Sequence, residues 1–196
     1  MIELNPYQIL ENKRVRLEPM QWDHFSHLLP ICLEHPTLLR YSPPNFGTKA
    51  ALEAYFEKNL ALQKEKRKCP WVIYDKQQEA YAGSTSYLNI SLHDKRLEIG
   101  STWLAPAHQR TGLNRNCKYL LLTHAFTQLQ IERVELKTDL RNEQSRKAIL
   151  AIGATYEGAL RSHTLLSDGH RRDTAYYSIL RSEWGTIRER VFASYE

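Results

Sequence analysis

Residues 13–18 alternate polar and apolar, as a strand that buries one face must, and residues 21–33 then change to helical spacing. Pro43, Pro44, Asn45 and Gly47 break the chain, after which Thr48 is placed to cap a helix over 49–66 with Leu52, Tyr55, Phe56, Leu60 and Leu62 on one broad apolar face. Residues 70–74 and 80–90 read as strands joined by a polar turn at 75–79, and a third strand, 97–104, follows a second polar turn at 93–95. That run is an antiparallel meander. Leu113, Cys117, Leu120, Leu121 and His124 then recur at i, i+4, i+7, i+8 and i+11, which predicts a helix reaching Leu129 with one face on the sheet. Residues 131–139 alternate strictly, so strand, helix and strand make a βαβ crossover. Asn142 caps a further helix closed by Gly153, the Asp168-Gly169 pair joins strands over 156–166 and 172–180, and 182–196 reads as a final helix.

This order of elements predicts an α/β (α+β) chain forming one domain over residues 1–196, with a mostly antiparallel mixed sheet and flanking helices. At 196 residues, 42% hydrophobic and 25% charged, the chain is long enough to bury about 70% of its unfolded surface. No apolar run is long enough to span a bilayer, and the first residues lack the apolar core of a signal peptide, so a cytoplasmic protein is expected. Cys32, Cys69 and Cys117 have neither disulfide nor zinc spacing, and Cys117 lies on an apolar stripe. The eight histidines show no ligand clustering, so no metal is expected.

A net charge of +5 points to an anionic partner. Lys58, Lys64, Lys66, Arg67 and Lys68 crowd a helix end and read as a solvated face. Arg110, Arg115, Lys118, Arg141, Arg146 and Lys147 instead gather around two helix starts. Nucleic acid would use the same cations, but aromatic interleaving and an RNA-binding signature are missing. The segment Gln109-Arg110-Thr111-Gly112-Leu113-Asn114 follows a strand stopped by Pro106 and opens a helix, so free N–H groups, a helix dipole and cationic side chains converge on one point. An anion suits that point. Should residue 110 need a left-handed backbone, arginine there costs roughly 1–2 kcal/mol.

The loop Q-x-x-G-x-N after W-L-A-P resembles the pyrophosphate loop of the GNAT acyltransferase superfamily, with Arg110 and Asn114 departing from its usual small residues. Asn142 and Ser145, followed by Gly153-Ala154, Glu157-Gly158, Asp168-Gly169 and Arg172-Asp173-Thr174, resemble the RimJ/RimL-type branch. The resemblance spans roughly 97–184 and implies the acyl-CoA N-acyltransferase fold with acetyl-CoA as cosubstrate. It implies cofactor contacts from Trp103, Leu104, Gln109, Arg110, Thr111, Gly112, Leu113, Asn114, Asn142 and Ser145. In this branch the serine at position 145 hydrogen-bonds the CoA sulfur, while the tyrosine that many relatives carry seven residues after the asparagine is Ile149 here. The helix pair at 21–66 would wall the acceptor site, with Tyr87 and Asn89 as candidate liners.

Acyl transfer to an amine needs a proton acceptor, a polarised carbonyl and a leaving thiolate. Glu98 is either that base or a salt-bridged strand carboxylate, and backbone N–H groups near Trp103 and Leu104 are placed to polarise the carbonyl. RimL-type enzymes carry their glutamate on the strand after the Asn/Ser helix, where this chain has Ser162, His163 and Thr164. His163 is a base or a surface histidine. The expectation is direct acetyl transfer in a ternary complex to a protein N-terminus or a small amine, by a monomer or a homodimer without a membrane partner. The rival is a protein of the same fold that binds acyl-CoA without turnover.

Overall fold

The computed structural model describes residues 4–195. Strands β1 (Leu10–Glu11) and β2 (Val15–Pro19) lead through a short 3-10 turn to helix α1 (Phe25–Glu34), then helix α2 (Lys49–Lys64). Thr48 caps α2 by accepting the N–H of Ala51 at 3.1 Å. Strands β3 (Cys69–Asp75), β4 (Ala80–Ser91) and β5 (Arg96–Leu104) form the meander. Helix α3 (Leu113–Thr123) and strand β6 (Arg133–Asp139) complete the crossover, and helix α4 (Glu143–Leu150), strands β7 (Thr155–Leu165) and β8 (Arg171–Leu180) and helix α5 (Arg181–Val191) follow. The eight strands lie in the order β1-β2-β3-β4-β5-β6-β8-β7, antiparallel throughout except between β5 and β6.

Side-chain alternation divides the core between the two faces of this sheet. Leu17, Trp71, Ile73, Leu97, Ile99, Val134, Leu136 and Tyr177 pack with Leu113, Cys117 and Leu121 of α3. Met20, Val72 and Trp103 pack on the opposite face with Leu28, Leu52, Tyr55 and Phe56 of α1 and α2. The stripe is not one regular helix: within α3 it takes in Leu122 while Leu120 stays half-buried, and a π-helical turn, His124–Gln128, then follows Thr123. Tyr87 is fully buried on this side, donating to the Leu121 carbonyl, so it lines no acceptor cleft. The three cysteines are buried and free, and among the described residues no helix is long and apolar enough to cross a membrane.

One close approach sets the middle of the sheet. A Cβ on Gly83 would stand 2.0 Å from the Trp103 carbonyl oxygen, so β4 and β5 meet here at a distance only glycine permits. Gly83→Ala should therefore destabilise the protein by about 2–3 kcal/mol, read as a lower midpoint in urea unfolding with an unchanged slope.

Candidate active site

The parallel pairing of β5 with β6 lasts three residues, Arg96 with Arg133, Leu97 with Val134 and Glu98 with Glu135. Both strands then continue, to Leu104 and Asp139, without pairing to each other. Between them opens a cleft of about 650 Å³, lined by Ile99–Leu104, Leu136–Thr138, the 109–115 loop and helix start, α4, and Tyr41 and Ser42 of the α1–α2 connection.

A bulge turns β5 at the point of divergence. Ser84 faces Trp103 but Ser86 faces Gly100, which leaves an extra residue on β5, and Ser101 takes φ +50°. Its hydroxyl accepts from Lys68 Nζ at 3.0 Å on one face, while the Thr102 hydroxyl accepts from Lys118 Nζ at 2.9 Å. Lys68 was expected in a solvated cluster but is only 8% exposed. Burial lowers both ammonium groups from their ordinary range to about 8.

The anion loop is clamped from below. Asp75, fully buried, ion-pairs with Arg14 and reaches His108 Nδ1 at 3.0 Å, and the His108 carbonyl accepts from Thr111 Oγ1 at 2.8 Å. Gln109 Nε2 bonds the Leu104 carbonyl at 2.9 Å, and Gln144 of α4 bonds Gln109 Oε1 at 3.1 Å. Arg110 does adopt the left-handed conformation, φ +61°, and Gly112 stands before α3 with φ +84°. The start of α3 thus lies at the cleft rim with Arg110, Arg115 and Lys118 beside it, the Leu113 N–H donating to the Thr111 hydroxyl at 3.4 Å and the next N–H groups lacking an intrahelical partner. Asn114 Oδ1 is buried without a hydrogen-bond partner. A loop of free donors, unpaired cations and one orphan acceptor fits a phosphate-bearing, amide-bearing ligand.

The candidate residues fall into distinct places. Leu104, Gln109, Arg110, Gly112, Asn114, Asn142 and Ser145 line the cleft. Trp103 lines it too, although its indole is 4% exposed, packs beside Phe46 and donates to Tyr55 at 3.3 Å. Leu113 is an anchor in the core, and the Thr111 hydroxyl is spent within the loop. Asn142 Oδ1 accepts the Ser145 N–H at 3.0 Å, which sets the first turn of α4 and turns Ser145 toward the cleft. Glu98 is salt-bridged: its Oε2 takes Lys137 at 3.0 Å and Asn89 at 2.7 Å. Its Oε1 is aimed at Gly100, where a Cβ would lie 2.9 Å away. Arg146 turns to Tyr177 and the Leu140 carbonyl, and Arg141 to Asp139, so neither joins the phosphate loop directly. His163 lies on exposed β7, bonded to Thr174 at 3.1 Å. Pattern reading missed Tyr41, Ser42, Lys137 and Arg172 as cleft residues, because only the Pro-Pro break marked the first pair, strand alternation alone marked Lys137, and Arg172 stood only within the Arg172-Asp173-Thr174 resemblance. Among the described residues no group of three or more His, Cys, Asp or Glu side chains is placed to hold a metal ion.

Residues 14–155 match the acetyltransferase (GNAT) domain family. The chain belongs to this family. Among curated proteins, YdaF of Bacillus subtilis, provisionally named a ribosomal N-acetyltransferase, is 33% identical over 113 residues, 58% of this chain. The matched stretch spans 59% of that relative's length. Its name agrees with the RimJ/RimL-type resemblance. YoaA of the same organism, named an uncharacterized N-acetyltransferase, is 25% identical over 89% of this chain and 98% of its own. A GCN5-related N-acetyltransferase structure from Brucella melitensis superposes with a TM-score of 0.85 at 28% identity, covering 97% of this chain and 86% of that one. GNAT proteins use acetyl-CoA, and the cleft of this GNAT domain carries the donors such a ligand requires.

For a phosphate bound beside Lys118, capture should depend on pH. A phosphate beside it favours the charged ammonium, so affinity is full below about pH 8 and falls as pH rises above it. Calorimetric affinity for acetyl-CoA should drop roughly tenfold between pH 7 and 9, and Lys118→Met should remove most of that dependence, with Lys68 supplying any remainder.

Proposed function

We propose that this protein transfers acetyl from acetyl-CoA to a primary amine by direct attack in a ternary complex. The observation that carries the reading is the early parting of β5 from β6 beside the α3 N-terminus. It leaves strand-edge backbone groups unpaired next to an anion-binding loop, in a cleft reached from both faces of the sheet.

The α3 N–H groups with Arg110, Arg115 and Lys118 hold the pyrophosphate. Asn142 and the free edge of β5 hold the pantetheine arm, and N–H groups near Trp103 and Leu104 face the oxygen that becomes anionic. Ser145 donates to the departing sulfur, since Ile149 is 7% exposed and has no proton to give. Glu98 Oε1, left over after Oε2 is committed to Lys137 and Asn89, takes the proton of the incoming ammonium directly or through water. No covalent intermediate with the enzyme is required.

Titration calorimetry with acetyl-CoA and CoA, with Gly112→Trp as a loop-blocked control, tests the cofactor. Micromolar binding lost in the control is expected, and no binding in the wild type overturns the reading. With an accepted amine, Glu98→Gln should lower kcat by about 10²-fold or more while leaving acetyl-CoA affinity unchanged. Ser145→Ala should lower kcat about tenfold with little change in affinity. Tight binding without thiol release for any amine would leave a non-catalytic acyl-CoA binder.

A further inference from the structure

Arg172 stands apart from the other partly buried cations of the sheet. Arg14, Arg16, Arg133 and Lys137 each have a carboxylate within ion-pair distance. Arg172, half-buried in the cleft wall, gives Nε to the Thr174 hydroxyl at 3.0 Å and Nη1 to the Tyr41 carbonyl at 3.1 Å, both neutral oxygens. Its Nη2 has no protein partner among the described residues. The anion nearest in charge, Asp139, is gripped through both oxygens by Arg141, at 3.1 and 2.7 Å. A desolvated guanidinium with no carboxylate at ion-pair distance is only partly compensated, and a ligand carboxylate would complete its pairing.

The position identifies which ligand. Arg172 and Thr174 share a face of β8 with Tyr176, whose cross-strand partner is Lys137, and Ala175 and Tyr177 point the other way into the α3 core. Arg172 therefore faces the α1–α2 connection, across the sheet from the phosphate loop. Tyr41, which it anchors, carries the Arg40 and Arg141 guanidinium groups 4.9 and 5.7 Å from its ring centroid. Glu98, whose Oε1 looks toward Gly100, is close enough for its charge to act on Arg172. An ammonium suits the carboxylate and an anion suits the guanidinium.

We infer that Arg172 recognises a carboxylate on the acceptor, so that the amine acetylated here belongs to a molecule bearing a carboxylate close to its amino group. This rests on the acetyltransferase reading above. The shared chemistry can come from the α-carboxylate of a free amino acid or from an acidic residue next to a peptide N-terminus. The grip is bidentate only in part, because two of the guanidinium N–H groups already hold Thr174 and Tyr41.

The test is CoA thiol release with the full-length protein and matched acceptors. These are amino acids beside their amides, short peptides with Asp or Glu beside Asn or Gln at the second position, and a polyamine as the cationic case. Members with the carboxylate should show kcat/KM at least tenfold above their neutral partners. Arg172→Gln should lower kcat/KM for the carboxylate members, through KM, far more than for their neutral partners, and Arg172→Lys should restore part of the difference. A loss equal for all acceptors would make Arg172 a support for Tyr41 and overturn the inference, as would a raised Kd for acetyl-CoA in Arg172→Gln. Preferred turnover of neutral or cationic amines overturns the inference and leaves the transferase reading standing. No thiol release with any amine removes both, and the amino-acid and peptide arms separate the two sources.

Discussion

The structure depends on two parallel strands that stay together for three residue pairs and then part. Backbone groups withdrawn from water need partners, and a gap in the middle of a sheet is tolerable only where something else satisfies its edges. Two features hold the gap open. The extra residue at Ser101 bends β5 away from β6, and the close approach at Gly83 draws the end of β5 toward β4, where the Ala105 N–H reaches the Ala82 carbonyl at 2.8 Å. Because Asp75 ties Arg14, just before β2, to His108, the loop beyond β5 is fixed to the first half of the sheet before any ligand arrives.

Charge is distributed around that gap unevenly, and the distribution separates its two sides. On the α3 side Lys118 sits beside Thr102 with no carboxylate at ion-pair distance, which suits a permanently anionic ligand entering from that face. On the opposite side Glu98, Glu135 and Lys137 form a closed cluster at 3.0 Å separations, and Lys137 lies 4.6 Å from the centre of the Tyr176 ring. That cluster positions Glu98 while spending only one of its oxygens. The two lysines at the bulge mirror each other through the sheet, so Ser101 and Thr102 are both fixed by buried ammonium groups, and the strand edge between them is held rigid where the acetyl group would lie.

Most of the fold could be read from periodicity and punctuation. The Thr48 and Asn142 caps, the Asp-Gly turn and the switch from alternation to helical spacing and back each report a local preference, and the observed elements agree with them. The candidate anion loop stood out in the sequence for the same reason, since its residues are contiguous in the chain. What alternation cannot convey is which residues meet across strands. Glu98 acquires Lys137 through the parallel register and Asn89 through a bulge at φ +51°, and Lys68 is buried because the chain beyond α2 turns under the bulge at Ser101. Arg172 and Tyr41 are 131 positions apart, and only the assembled sheet brings one to the other.

On the acetyl-transfer reading proposed above, Ile149 bears on how the departing thiolate is handled. A tyrosine at that position would offer a phenolic proton, but the isoleucine is nine-tenths buried beneath the cleft and supplies only an apolar wall. The thiolate of CoA is a comparatively good leaving group, so it needs a hydrogen bond and a favourable potential more than full proton transfer. The first turn of α4 is placed to provide both on that reading. Asn142 caps the helix and so aims its positive end and the Ser145 hydroxyl at the same cleft, while the apolar Ile149 side chain one turn later lowers the local dielectric in which that hydrogen bond acts. The departure from the commoner residue is therefore chemically consistent with the serine beside it, and on the proposed reading the weight of leaving-group stabilisation falls on the helix end instead of on a separate acid.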